Sequence, residues 1–93
     1  MQFTFTYRDE VFSVERAAPK DGLFGYKATA YGETFILYSD VELFAEYEKD
    51  ECAWSQHIEE EMLDNGLLTC NDDLEYIPTR DIKTQYRNFR EFN

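Results

Sequence analysis

The chain predicts an α+β fold, a four-stranded antiparallel meander covered by an acidic helix and a C-terminal helix. Three observations carry that expectation. Polar and apolar residues alternate with period two up to Tyr38, with turn-forming sequences between the runs. Apolar residues then recur at helical spacing from Val41 to Met62 and again from Ile82 to Phe89. Among the 93 residues are eight Phe, seven Tyr and one Trp, enough large apolar surface for a single domain, 1–93, to close a core.

Gln2 to Tyr7 places Phe3, Phe5 and Tyr7 on one face of a first strand. Arg8-Asp9-Glu10 is a polar turn, and Val11 to Arg16 a second strand, in which Val11, Phe12 and Val14 do not share a face. Ala17 to Gly22 contains Pro19, Asp21 and Gly22 and is expected to be a loop. In a third strand, Phe24 to Tyr31, Phe24, Tyr26, Ala28 and Ala30 face one way and Lys27, Thr29 and Tyr31 the other. The two alanines leave room for a helix to approach. Gly32-Glu33 turns the chain into a fourth strand, Thr34 to Tyr38, and one face of such a meander must be covered.

Ser39-Asp40 offers side-chain acceptors for a helix start, and Glu42 adds negative charge near the positive end of the dipole. Val41, Phe44, Tyr47, Trp54, Ile58 and Met62 form the apolar stripe, and Asn65-Gly66 ends the helix. Unbroken from Asp40 to Asp64, it would run about 36 Å, long for a domain with a radius of gyration of about 12 Å. Glu51 would also fall on its apolar face. A break near Asp50 to Ala53 is therefore expected. Leu67 to Asp73 then reads as an acidic loop and Leu74 to Ile77 as a short strand. Thr79 would cap a last helix with Ile82, Tyr86 and Phe89 inward and Arg80, Lys83, Arg87 and Arg90 toward water.

Charge is sharply segregated along this frame. Residues 1–39 sum to −1, residues 40–75 to −12 and residues 76–93 to +2, within a net charge of −11. Such a balance repels nucleic acid and anionic lipid, so neither is an expected partner; a basic protein surface is. No apolar run approaches the twenty or so residues of a membrane-spanning helix. No basic and then apolar leader follows Met1, and a cytoplasmic location is expected.

Catalytic and metal chemistry find little support. His57, the only histidine, lies five residues from Cys52, roughly 140° around a helix, so the two do not face each other. Cys52, His57 and Cys70 lack the fourth ligand and the close-spaced Cys pair of a structural zinc site. Buried free thiols and a helix-surface imidazole are the expectation. Neither Asp64-Asn65-Gly66 nor Asn71-Asp72-Asp73 starts an EF-hand spacing, and no glycine-rich phosphate loop exists. The expectation is a protein that is not an enzyme and takes no metal or cofactor.

The acidic stretch is where the energetics speak. In a helix, Glu42/Glu46, Glu46/Asp50, Glu48/Glu51, Glu60/Asp64 and Glu61/Asp64 are like-charge neighbours, together costing about 1–2.5 kcal/mol. Selection for stability alone does not favour that pattern. The ten carboxylates from Asp40 to Asp64 would recur about every 4 Å along the helix, against ~3.4 Å between phosphates on a DNA strand.

With Glu59-Glu60-Glu61, Asp72-Asp73 and the Glu42/Glu46/Asp50 ridge on one segment, the chain resembles in composition the small acidic anti-CRISPR and anti-restriction proteins of phages and mobile elements. That resemblance implies inhibition of a host defence complex by blocking basic residues that hold DNA or guide RNA. The candidate partner-binding residues are Glu42, Glu46, Asp50, Glu59, Glu60, Glu61, Asp64, Asp72 and Asp73, with Tyr31 and Tyr38 as anchors. The alternative is an interaction module or small subunit that binds through its sheet face around Tyr31, Ile36 and Tyr38, the acids serving solubility.

Overall fold

The computed structural model describes residues 1–73 and 75–80. Its elements are β1 (Gln2–Tyr7), β2 (Glu10–Lys20), β3 (Leu23–Ala30), β4 (Glu33–Ser39), α1 (Leu43–Tyr47), α2 (Glu51–Asp64), β5 (Leu68–Cys70) and β6 (Tyr76–Pro78). The expected C-terminal helix, with Ile82, Tyr86 and Phe89, lies outside the described residues. The chain forms two compact units, Met1–Ile58 and a second that begins at Glu59.

In the first unit β1-β2-β3-β4 form the anticipated antiparallel meander. Each connection is a two-residue turn whose residues both have positive φ: Arg8-Asp9 (51°, 63°), Asp21-Gly22 (54°, 80°) and Tyr31-Gly32 (54°, 74°). This is the type I′ geometry that matches strand twist. Tyr31 is thus a turn residue rather than the last residue of β3. Phe3, Val14, Ala28 and Phe35 align across the four strands on the core face, as do Arg16, Tyr26 and Leu37 across three. The opposite face carries Thr4, Ser13, Thr29 and Thr34 in one row. Thr4 Oγ1 donates to Ser13 Oγ at 3.3 Å, and the Thr29 and Thr34 hydroxyls pair at 3.0 Å.

β2 corrects one expectation. It continues through Ala17 to Lys20, where a loop was anticipated, with a register shift between Ala17 and Lys20. Proline lacks the N–H a central strand needs, but β1 pairs only with Glu10 to Glu15, and Pro19 lies inside the shift against β3. No ladder bond is lost there. The bulge presses on β3 at Gly25, where a Cβ would stand 2.3 Å from the Ala18 carbonyl oxygen. Only glycine fits at that position.

Helical packing closes the core of this unit. Phe12, Val14, Tyr26, Ala28 and Trp54 are fully buried. The Tyr26 ring meets Phe44 at 5.8 Å and Trp54 at 6.3 Å between centroids, and Phe5 stacks on Phe12 at 5.1 Å. The anticipated break falls at Glu48 to Asp50, slightly ahead of its expected place. Glu48 takes φ 51° and ψ −115°, its N–H bonding to the Phe44 carbonyl at 3.1 Å. Asp50 then starts α2 by accepting from the Ala53 N–H at 3.1 Å.

The second unit begins within α2. Gly66, at φ 73°, ends the helix: its N–H reaches the Leu63 carbonyl at 3.2 Å and the Leu67 N–H reaches that of Met62 at 2.8 Å. That pair of bonds is the Schellman closure expected of Asn65-Gly66. Leu67 to Asp73, anticipated as loop, contains β5, which pairs with β6 in a hairpin, Leu68 opposite Pro78 and Cys70 opposite Tyr76. Asn71 builds the turn, its Oδ1 accepting from the Asp73 and Glu75 amides at 3.0 and 2.9 Å.

Candidate functional site

The helix break determines which acids of the first unit reach solvent. Glu46, Glu48, Asp50 and Glu51 are all exposed around the α1–α2 turn, with Lys49 among them. Glu46 and Asp50 belong to the sequence-derived set. Glu48 and Glu51 do not, and the break leaves both exposed. In the second unit Glu60 and Asp64 are exposed, Glu61 is half-buried, and Asp72, Asp73 and Glu75 are exposed around the hairpin turn. With Asp40, ten of the thirteen acids from Asp40 to Glu75 face water. Arg16 pairs with Glu42, one of the three acids of the segment that are not exposed, and Lys27 with Glu15.

Two of the named acids leave that surface. Glu59 is 2% exposed and cannot present its carboxylate to a partner. On α2 the buried positions are Trp54, Ser55, Ile58, Glu59 and Met62, a stripe broader than the apolar residues alone mark. Ser55 and Glu59, four residues apart beside that stripe, were the available signal. Glu42 is the other. It, and not Ser39 or Asp40, is the N-cap of α1; Ser39 Oγ instead accepts from the Val41 amide at 3.0 Å.

Glu42 Oε1 accepts from the Phe44 amide at 3.0 Å and from the Tyr26 hydroxyl at 3.1 Å, while Oε2 pairs with Arg16. The Tyr26 oxygen in turn accepts from the Leu43 amide at 2.8 Å, and the Arg16 guanidinium lies 5.4 Å over the Phe44 ring. One carboxylate thereby joins β2, β3 and α1. Burial by itself would raise the Glu42 carboxyl, but the hydrogen bonds from Arg16, Phe44 and Tyr26, with the Arg16 charge, hold it below its usual value. Burial pushes the Tyr26 hydroxyl up, the Glu42 bond and charge push it the same way, and the Leu43 amide and the Arg16 charge oppose them in part.

The like-charge cost is smaller than the sequence suggests. With Glu42 in a cap and the helix interrupted at Glu48 to Asp50, the pairs left within one helix are Glu60/Asp64 and Glu61/Asp64. Their repulsion comes to about 0.4–1 kcal/mol. α2 spans fourteen residues, about 21 Å, so the carboxylates do not form one continuous row.

The aromatic candidates separate. Tyr31 is half-buried and edge-on to Phe12 at 6.0 Å, its amide bonded to Glu10 Oε1 at 2.8 Å, so it serves the core side. Ile36 and Tyr38 remain on the outer face at 44% and 38% exposure, with Lys20 Nζ 5.9 Å from the Tyr38 ring centroid. The thiols also differ from expectation: Cys52 and Cys70 are both exposed, and Tyr7 OH lies 3.5 Å from Cys52 Sγ. His57 is half-buried, its Nδ1 2.9 Å from the Tyr47 hydroxyl, rather than on a free helix surface. Among the described residues, no three metal-binding side chains converge and no helix is long and apolar enough to cross a membrane.

Comparison of the chain with protein-family models, with curated proteins and with solved structures finds no match in any of the three.

Proposed function

We propose that this protein is a cytoplasmic, non-enzymatic acidic inhibitor of the anti-CRISPR type, which occupies a basic nucleic-acid-binding surface of a host defence complex. The observation supporting this reading is the exposure of ten carboxylates within 36 residues, in a segment whose only base is Lys49. Glu46, Asp50, Glu60, Glu61, Asp64, Asp72 and Asp73 keep the binding role assigned from sequence, and Glu48 and Glu51 join them. Carboxylates on a folded scaffold meet lysine and arginine with complementary charge, which speeds association and excludes nucleic acid from the same groove.

The test is affinity capture from lysate of the encoding organism or its host. Wild type is compared with Glu46→Lys/Glu48→Lys/Glu51→Lys and Glu60→Lys/Asp64→Lys, all shown to be folded. A nucleic-acid-binding complex held by wild type, lost by either variant and displaced by DNA or RNA is the expected result. A partner held equally by all three baits would reduce the acids to a solvated surface. The exposure of Ile36 and Tyr38 favours a second reading, a small interaction subunit that binds through the outer sheet face. In that case Tyr38→Ala abolishes capture and the lysine variants do not.

A further inference from the structure

We propose that the groove between the start of β1 and the end of α1 is a socket for one large apolar side chain of the partner, flanked in the partner by lysine or arginine. This inference rests on the acidic-inhibitor reading and adds the point at which binding is anchored. The groove holds about 220 Å³ and is lined by Met1, Gln2, Phe3, Phe44, Glu48 and Lys49. A dry cavity of about 150 Å³ holds benzene, and small-molecule sites run to about 300–1,000 Å³. The volume therefore suits a leucine- or phenylalanine-sized group better than a cofactor.

Its walls are fixed in place. Phe3 stacks on Phe5 at 4.9 Å, and Phe44 packs against Trp54 at 5.1 Å. Glu48 is held at both ends of its peptide unit, by its N–H to the Phe44 carbonyl and by the Trp54 indole, which donates to the Glu48 carbonyl at 2.9 Å. A preorganised apolar recess ringed by polar groups is where interface energy concentrates.

Charge selects the occupant. The exposed Glu46, Glu48, Asp50 and Glu51 outweigh Lys49 by three negative charges on the turn that forms one wall. A neutral ligand would leave them uncompensated. A second copy of the chain would bring another −11 against them. An apolar side chain between cations satisfies both the floor and the rim.

The 93-residue chain is titrated with three capped peptides, Lys-Arg-Leu-Arg-Lys, Lys-Arg-Ala-Arg-Lys and Gly-Ser-Leu-Ser-Gly. Binding is read by the fluorescence of Trp54, the only indole, and by amide NMR shifts. The basic leucine peptide should bind about tenfold or more tightly than the basic alanine peptide, the gain of burying one leucine side chain. It should shift Phe3, Phe44 and Glu48, and bind at least about tenfold better than the neutral leucine peptide. Phe3→Ala should erase the leucine preference while leaving the alanine peptide unaffected. Equal binding of the two basic peptides overturns the socket and leaves the acidic reading standing. Neutral and basic leucine peptides binding alike would mark a purely apolar site and refute it. Groove shifts that track self-association in sedimentation do the same. If neither basic peptide binds, the socket and the acidic reading fall together.

Discussion

Replacing Glu42 by alanine removes the carboxylate that joins two strands to the first helix, and its cost follows from the bonds it makes. Loss of the N-cap acceptor to the Phe44 amide costs about 1 kcal/mol. Loss of the acceptor for the Tyr26 hydroxyl, whose residue is fully buried, costs about 1 kcal/mol more. The Arg16 side chain is 42% exposed, so solvent screening limits the ion pair to about 0.5–1 kcal/mol. The sum is about 2.5–3 kcal/mol, a Tm decrease of roughly 10–24 °C for a chain of this size. Glu42→Gln keeps an acceptor for both hydrogen bonds and should cost about 1 kcal/mol or less. Urea and thermal unfolding of the two variants decide the matter. Alanine within about 0.5 kcal/mol of wild type, or glutamine as costly as alanine, would refute the argument.

The same group fixes a pH dependence. Because the folded carboxyl is held below its unfolded value, its contribution is complete above about pH 4.3 and is lost as pH falls through the folded value. Tyr26 has the opposite sign. Its folded value is raised, so its contribution is complete below about pH 10 and is lost as pH rises through the folded value. Glu42→Gln should therefore flatten the acid limb of the stability profile, and weaken the alkaline limb only in part, because burial, the larger cause of the Tyr26 shift, remains.

Further outcomes follow from particular positions. Gly25→Ala places a Cβ against the Ala18 carbonyl and should cost about 1–3 kcal/mol, with NMR shifts concentrated at Ala17 to Lys20; an unchanged melting curve would contradict the bulge geometry. Glu59→Lys, at a buried position, should destabilise by about 2–4 kcal/mol, whereas Glu60→Lys beside it should stay within about 0.5 kcal/mol of wild type; denaturant midpoints separate the two. Gly66→Ala should cost about 1 kcal/mol, because a residue with a Cβ must take the left-handed closure of α2, again read from unfolding.

Much of the meander was legible because period-two alternation and short turns report directly on a sheet with one buried face. Tyr26, Ala28 and Ala30 are buried in the alternation read from sequence. The helix break was legible from length and from the misplaced Glu51. Pro19 misled because a proline marks a loop unless a register shift and an absent neighbour excuse its missing N–H, and pairing is set by the whole sheet. The β5–β6 hairpin was obscured because three-residue strands carry too little pattern to distinguish from loop. At the candidate site, acidity was visible but accessibility was not. Glu42 and Glu59 are chemically like their neighbours, and only the hydrogen bonds of the cap and the breadth of the buried stripe remove them from the surface. Tyr31 looked like a strand residue on the outer face; a type I′ turn instead sets it against Phe12.

The central claim is that exposed carboxylates bring this protein to a basic partner, and the most direct measurement is the association rate with the captured partner as ionic strength rises. Electrostatic steering predicts a rate that falls steeply between about 10 and 150 mM salt, as the Debye length shortens from about 30 to 8 Å, with dissociation changing less. Glu46→Lys/Glu48→Lys/Glu51→Lys should lower the rate and flatten the slope. An association rate indifferent to salt, and equal in wild type and variant, would contradict the account.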